Sequence, residues 1–155
     1  MPKREFDIII WGATGFTGQL VVEYLVQTYG VDGDLHWGIA GRNQKKLEDV
    51  RKSCLPVAKR KQLPILIADS DDPDSLTSLV TRTRVLCTTV GPYAKYGTPL
   101  VAACAEAGTD YCDLAGELQW MAQVIPEYQA VAEASGARIV HTCGFDCIPF
   151  DLGTW

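Results

Sequence analysis

Gly12, Gly15 and Gly18 recur at every third position directly after the apolar run Ile8-Ile9-Ile10-Trp11. Glycines placed in this way suit the capture of a polyanion. Backbone without a Cβ can come close to phosphate oxygens, and the N–H groups that open a following helix face outward with the positive end of its dipole. Gly12 permits a tight reversal, Gly15 lets the chain approach a pyrophosphate, and Gly18 lets the helix lie close to the strand. Gly12, Ala13, Thr14, Gly15, Phe16, Thr17 and Gly18 are therefore the candidate phosphate loop. The spacing is one residue longer than the commoner G-x-G-x-x-G fingerprint, and by itself it also fits an ordinary strand-to-helix connection. Its setting favours phosphate: the strand before it is continuous and β-branched, and the segment Gln19 to Thr28 after it puts Leu20, Val21, Tyr24 and Leu25 on one helical face.

A dinucleotide also needs a group at its adenosine end. The second apolar strand, Leu35 to Ala40, runs into Gly41-Arg42-Asn43. An acidic residue there would accept hydrogen bonds from the ribose of NAD; Asp34 precedes the strand and sits at its wrong end. Arg42 occupies the place instead, and a guanidinium can clamp a 2′-phosphate with paired hydrogen bonds. With Asn43 as N-cap of the next helix and Lys46, beside Lys45, adding positive charge, the expected cofactor is NADP, as NADPH in the reducing direction. Asp69, directly after the third strand Leu63 to Ala68, either reaches the adenine amino group or caps a turn with Ser70 and Asp71. The fourth strand, Arg84 to Val90, ends at Val90-Gly91-Pro92-Tyr93, which should border the centre of the cofactor. Tyr96 is expected to pack against a neighbouring domain. Asp113 and Glu117 lie at the carboxyl end of a short fifth strand, Tyr111 to Leu114, where they read as helix caps or as polar groups at the functional edge. His141, near the end of a sixth strand, Arg138 to Thr142, reads as a structural histidine or as a group on the edge facing the cofactor.

The elements that carry these residues alternate strand and helix. Asp72-Pro73 opens a helix with Leu76, Leu79 and Val80 inward, and Lys59-Arg60-Lys61 is a loop. Thr98-Pro99 caps a helix ending at Gly108, and a later helical region breaks at Pro126. The fold class expected is α/β: a Rossmann-type doubly wound parallel sheet of order 3-2-1-4-5-6 with helices on both faces.

The 155 residues suit one domain, and 47% hydrophobic with 21% charged residues is ordinary for a globular chain. A formal net charge of −5 argues against a nucleic-acid or anionic-membrane binder. The basic stretch from Arg42 to Gln62 is either a surface beside an anionic cofactor or a solvated helix face. Six cysteines show neither C-x-x-C pairs nor metal-ligand spacing, so no metal is expected and the thiols read as reduced. No apolar run is long enough to span a bilayer and Met1 to Glu5 lacks the centre of a secretory signal, which points to the cytoplasm. The last residues, through Trp155, carry no terminating pattern, so residues 1–155 are expected to be one NAD(P)-binding domain of a longer protein.

Gly12-Ala13-Thr14-Gly15-Phe16-Thr17-Gly18, Ala40-Gly41-Arg42, Val90-Gly91-Pro92-Tyr93 with Tyr96-Gly97, Tyr111-Cys112-Asp113-Leu114-Ala115-Gly116-Glu117, and Gly144-Phe145-Asp146-Cys147-Ile148-Pro149 with Asp151-Leu152-Gly153 resemble the amino-terminal part of saccharopine dehydrogenase-like oxidoreductases. The nearest subgroup is the trans-acting enoyl reductases. Cys147 and Phe150 stand where members often carry small or polar residues. The resemblance implies a Rossmann domain followed by a larger α+β substrate and dimerisation domain. It also implies a homodimeric full-length protein and hydride transfer from a reduced nicotinamide to an enoyl group of a lipid-type or other small-molecule substrate. Saccharopine reductases proper would reduce an imine instead. A binding module of NmrA-like type would take up NADP without turnover, and the GPY and GFD-x-IP motifs argue against it. No Y-x-x-x-K, G-x-S-x-G or H-E-x-x-H pattern names a proton donor.

Overall fold

In the computed structural model, which describes residues 4–155, Phe6–Trp11 forms β1, Trp37–Gly41 β2, Ile65–Ile67 β3, Thr83–Thr88 β4, Asp110–Cys112 β5 and Ile139–Val140 β6. The helices are α1 Phe16–Tyr29, α2 Gln44–Cys54, α3 Pro73–Val80, α4 Tyr93–Ala107, α5 Leu118–Ser135 and α6 Ile148–Gly153. All neighbouring strands pair in parallel, in the order β3-β2-β1-β4-β5-β6. This is the doubly wound order expected from the sequence.

Side chains alternate across a strand, so β1 serves both sides of the sheet. Ile9 and Trp11 enter a core with Leu86, Leu100, Tyr111 and Trp120, under α3, α4 and α5. Ile10 enters a second core with Val22, Leu25, Ile39 and Leu47, under α1 and α2. Both faces of β1 are covered, which is why its sequence lacks polar alternation.

Several local expectations give way to packing. The buried stripe of α1 is Gly18, Val22 and Leu25; Leu20 and Tyr24 point to solvent, 50% and 59% exposed. A Cβ on Gly18 would lie 2.2 Å from the Gly12 carbonyl oxygen, so the contact at Gly18 fixes the rotation of the helix and leaves only residues four and seven further on facing inward. Lys59-Arg60-Lys61 belongs to a 3-10 helix, Val57–Gln62, rather than to a loop. Pro126 does not break α5; the Ala122 carbonyl that loses its helical donor lies on the exposed face, within reach of water.

The clearest departure is α4, which begins at Tyr93 and not at Thr98. Thr98-Pro99 mimics a cap followed by a first-position proline, yet Pro99 sits inside the helix. The true start is closed from elsewhere in the chain. Glu117, in the loop after β5, accepts hydrogen bonds from Tyr93 N–H at 2.6 Å and Ala94 N–H at 2.8 Å.

Candidate functional site

The glycine loop leaves β1 through Gly12, whose φ of +87° is a left-handed value that a side chain would strain. A Cβ there would also meet Val90 Cγ2 at 2.4 Å, and at Gly18 it would meet Gly12 O and Ala13 Cα, so both glycines are required by the fold itself. Gly15 differs. Its φ is −76° and an added Cβ would touch only Gly12 O, at 3.4 Å, an ordinary contact. Nothing in the protein demands a glycine at this position. It is exposed, it is the N-cap of α1, and no side chain caps the helix. The N–H groups of Phe16, Thr17 and Gly18 therefore find no acceptor among the described residues. Gly15 N–H itself is taken by Gly12 O at 3.0 Å. The Thr89 hydroxyl reaches the carbonyls of Trp11 and Gly12 at 3.4 and 3.3 Å, pinning the glycine loop to the end of β4.

A cleft of about 300 Å³ opens here, across the carboxyl ends of β1 to β4. Of the residues expected from the sequence, Gly12, Thr14, Gly15, Arg42, Asp69, Val90 and Gly91 line it. Five more were not singled out as binding residues: Trp11, Gly41, Ser70, Thr89 and Tyr96. Tyr96 forms part of the cleft wall. The signal for it was present in its four-residue distance from Pro92, whose carbonyl accepts its N–H at 3.1 Å and carries it one turn into α4 beside the cleft. Ala13, Phe16, Thr17, Gly18, Asn43, Lys46, Pro92 and Tyr93 do not line it.

Each of these has another placement. Ala13 and Gly18 are buried in the contact of loop and helix, Thr17 is exposed in the first turn of α1, and Phe16 projects outward, 82% exposed. Asn43 caps α2, its Oδ1 accepting Lys46 N–H at 3.0 Å. The Lys46 side chain borders a separate hollow between α1 and α2, with Thr14, Gln19 and Asp49. Asp69 closes a turn, its Oδ1 accepting Asp71 N–H at 3.1 Å, and the residue lies on the cleft wall. Arg42 is exposed and makes no hydrogen bond or ion pair with any described residue.

Behind the cleft lies a buried polar group of residues. Asp113 Oδ1 accepts the N–H groups of Ala115 and Thr142, each at 3.0 Å. Its Oδ2 accepts the Tyr111 hydroxyl at 2.8 Å and lies 2.7 Å from His141 Nδ1. Burial works against the Asp113 charge, but the bonds from His141, Ala115 and Tyr111 outweigh it and hold this carboxyl below the usual carboxylate range. Burial, and then the Asp113 charge, push the Tyr111 phenol far above its ordinary value. Asp113 thus ties β5 to the chain after β6 and acts as neither a helix cap nor an open functional carboxylate. His141, directly after β6, is held inside this group. Its ring is packed edge-on to Trp120 and Tyr111, and its Nε2 is buried without a partner among the described residues.

Tyr93 is also internal. Its ring stacks on Trp120 with centroids 5.5 Å apart, and its hydroxyl donates to Thr88 O and accepts Leu114 N–H, both at 3.3 Å. Burial pushes its pKa up to about 12. With both hydrogen-bonding capacities engaged, this phenol holds two loops together and has no proton to offer a ligand. The cleft thus brings together the glycine loop, the exposed Arg42 guanidinium and the hydroxyl-bearing side chains of Ser70, Thr89 and Tyr96.

The saccharopine dehydrogenase NADP binding domain family matches residues 8–140. A trans-acting enoyl reductase of Mycobacterium ulcerans strain Agy99 is 47% identical over 150 residues, which is 97% of this chain and 35% of that protein. The chain thus spans about a third of the length of the curated relatives it matches. Among solved structures, apo saccharopine dehydrogenase (L-Glu forming) from Saccharomyces cerevisiae superposes with a TM-score of 0.70 at 17% identity, covering 91% of this chain and 28% of that one. Citrobacter sp. triphenylmethane reductase complexed with NADP(H) gives 0.62 at 19%, covering 88% and 48%. At these identities the two structures establish a shared fold.

Proposed function

The chain belongs to the saccharopine dehydrogenase NADP binding domain family, and from that premise we propose that it is the cofactor-holding part of an NADPH-dependent oxidoreductase acting on enoyl groups of lipid-type substrates. The observation that carries this reading is Gly15. It is a glycine with no internal reason to be one, at an uncapped helix start with three unsatisfied N–H groups. A Cβ would fill the space in which a pyrophosphate would rest.

When bound, the dinucleotide supplies the hydride; the protein supplies position and charge. The N–H groups of Phe16, Thr17 and Gly18 would hold the diphosphate at the positive end of α1. Arg42 would take the 2′-phosphate, Asp69 and Ser70 would border the adenine, and Val90 and Gly91 would border the middle of the molecule. Ala13, Asn43, Lys46, Pro92 and Tyr93 would act on this site indirectly, by shaping the loops that line it.

Residues outside these 155 are proposed to supply the proton donor and the acyl-binding surface, which is supported by the curated relatives' greater length. Under this reading the full-length enzyme is a cytoplasmic homodimer. Six free cysteines are consistent with that compartment, and no helix among the described residues is long and apolar enough to cross a membrane.

Calorimetric titration of the chain with NADPH, NADP⁺, NADH and NAD⁺ tests the reading, with quenching of Trp11 on the cleft wall as a second signal. NADPH binding in preference to NADH is the expected result; no heat with any of the four would refute it. NADPH should be consumed only slowly by this chain, whatever enoyl or imine substrate is added.

A further inference from the structure

A 2′-phosphate carries nearly two negative charges, and a single exposed guanidinium neutralises it incompletely. The sequence suggests Lys45 and Lys46 as additional cations, but Lys46 turns toward the hollow between α1 and α2. The α4 side of the cleft offers another. Tyr96 lines the cleft together with Arg42, from the first turns of α4. The Lys95 ammonium, itself outside the cleft lining, lies 4.9 Å from the centroid of the Tyr96 ring, which does line it.

Two further observations concern its surroundings. Neither Arg42 nor Lys95 has a carboxylate within 4.0 Å among the described residues, a state they share with other basic side chains such as Lys45 and Lys61. The Tyr96 hydroxyl, with Asp71 acting more weakly, draws the Lys95 pKa upward, and Arg42 opposes them. Two like charges flanking one cleft repel, and an anion between them relieves that repulsion.

Resting on the dinucleotide reading above, we propose that Lys95 is the second cation of the 2′-phosphate subsite, gripping the phosphate from α4 while Arg42 grips it from the end of β2. The two contribute differently. Arg42 offers a planar pair of donors, and Lys95 a mobile point charge steadied by the Tyr96 ring. Lys95 touches only the group that distinguishes NADPH from NADH, so it acts on selectivity and not on dinucleotide binding in general.

The test is calorimetric titration of the wild-type chain, Lys95→Gln and Lys95→Arg with NADPH, NADH, 2′-AMP and 5′-AMP. Lys95 is exposed, and only its backbone N–H, bonded to Pro92 O, takes part in the helix, so the thermal midpoint should not change. Lys95→Gln should weaken NADPH and 2′-AMP roughly 10-fold, leave NADH and 5′-AMP within about 2-fold, and flatten the salt dependence of NADPH binding. Lys95→Arg should restore most of the loss. If wild-type chain binds NADPH and Lys95→Gln binds it equally well, or loses NADPH and NADH alike, the assignment of Lys95 is overturned while the dinucleotide reading stands. If wild-type chain binds none of the four, both are overturned.

Discussion

The Glu117 carboxylate spans the Tyr93 and Ala94 N–H groups at 2.6 and 2.8 Å, so a residue following β5 closes the helix that follows β4. Glu117→Ala leaves both donors without that acceptor and should lower stability by about 1–2 kcal/mol. Glu117→Gln keeps one acceptor oxygen and should lose less. Urea denaturation of the three proteins measures this, and an unchanged midpoint in Glu117→Ala would show that water caps α4 equally well.

Asp113 makes stability depend on pH in a defined direction. Its folded-state pKa lies below the unfolded value of about 3.9, so in this range the native state binds fewer protons than the unfolded state. The contribution is fully present above pH 3.9 and is lost as pH falls through the folded pKa. Asp113→Asn should destabilise the protein at pH 7 by about 1.5–3 kcal/mol, because its amide must face the Tyr111 hydroxyl and His141 Nδ1. It should also flatten the decline below pH 4. A parallel loss at every pH would assign the effect to packing alone.

Gly15 and Gly18 should separate binding from folding. Gly18→Ala drives a Cβ to 2.2 Å from a backbone oxygen and 2.9 Å from the Ala13 Cα, contacts with no flexible side chain to yield. A cost of about 3 kcal/mol or more is expected, at the upper end for overpacking. Gly15→Ala meets only an ordinary contact and should change stability by less than about 1 kcal/mol, yet weaken NADPH at least about 10-fold, equivalent to 1.4 kcal/mol. Melting curves and titrations on the same samples give both quantities. Full NADPH affinity in Gly15→Ala would place the phosphates elsewhere.

Arg42 is exposed and unbonded in the protein, so removing it should leave stability untouched. Arg42→Ala should weaken NADPH by about 1.5–3 kcal/mol, the range for a hydrogen bond to a charged group, with NADH nearly unaffected. Equal losses for both cofactors would remove Arg42 from the 2′-phosphate.

The parts of the fold that were legible in the sequence are those written locally. β1 ends abruptly at Gly12, β2 at Gly41 and β4 near Gly91, and that sequence of apolar runs and breaks is enough to order the sheet. Asn43 and Asp72 announced their helices because a cap acts within three residues. The start of α4 was obscure for the opposite reason: its acceptor lies 24 residues away from Tyr93, and a decoy Thr98-Pro99 sits nearby. Side-chain direction was similarly hidden. Whether Lys46 or Tyr96 faces the cleft depends on how α2 and α4 are rotated against the sheet, and that rotation is set by buried contacts such as Leu47 and Leu100 and not by the exposed residues themselves. His141 looked available because it ends a strand, but Trp120, from a different helix, covers it.

Arg42 and Tyr96 line one cleft from segments more than fifty positions apart along the chain. Under the proposed reading, nicotinamide-cofactor preference would not be a portable cassette. Grafting residues 41–46 onto an NADH-using scaffold would transplant one jaw of a vice, and redesign toward NADH would have to reshape both jaws together.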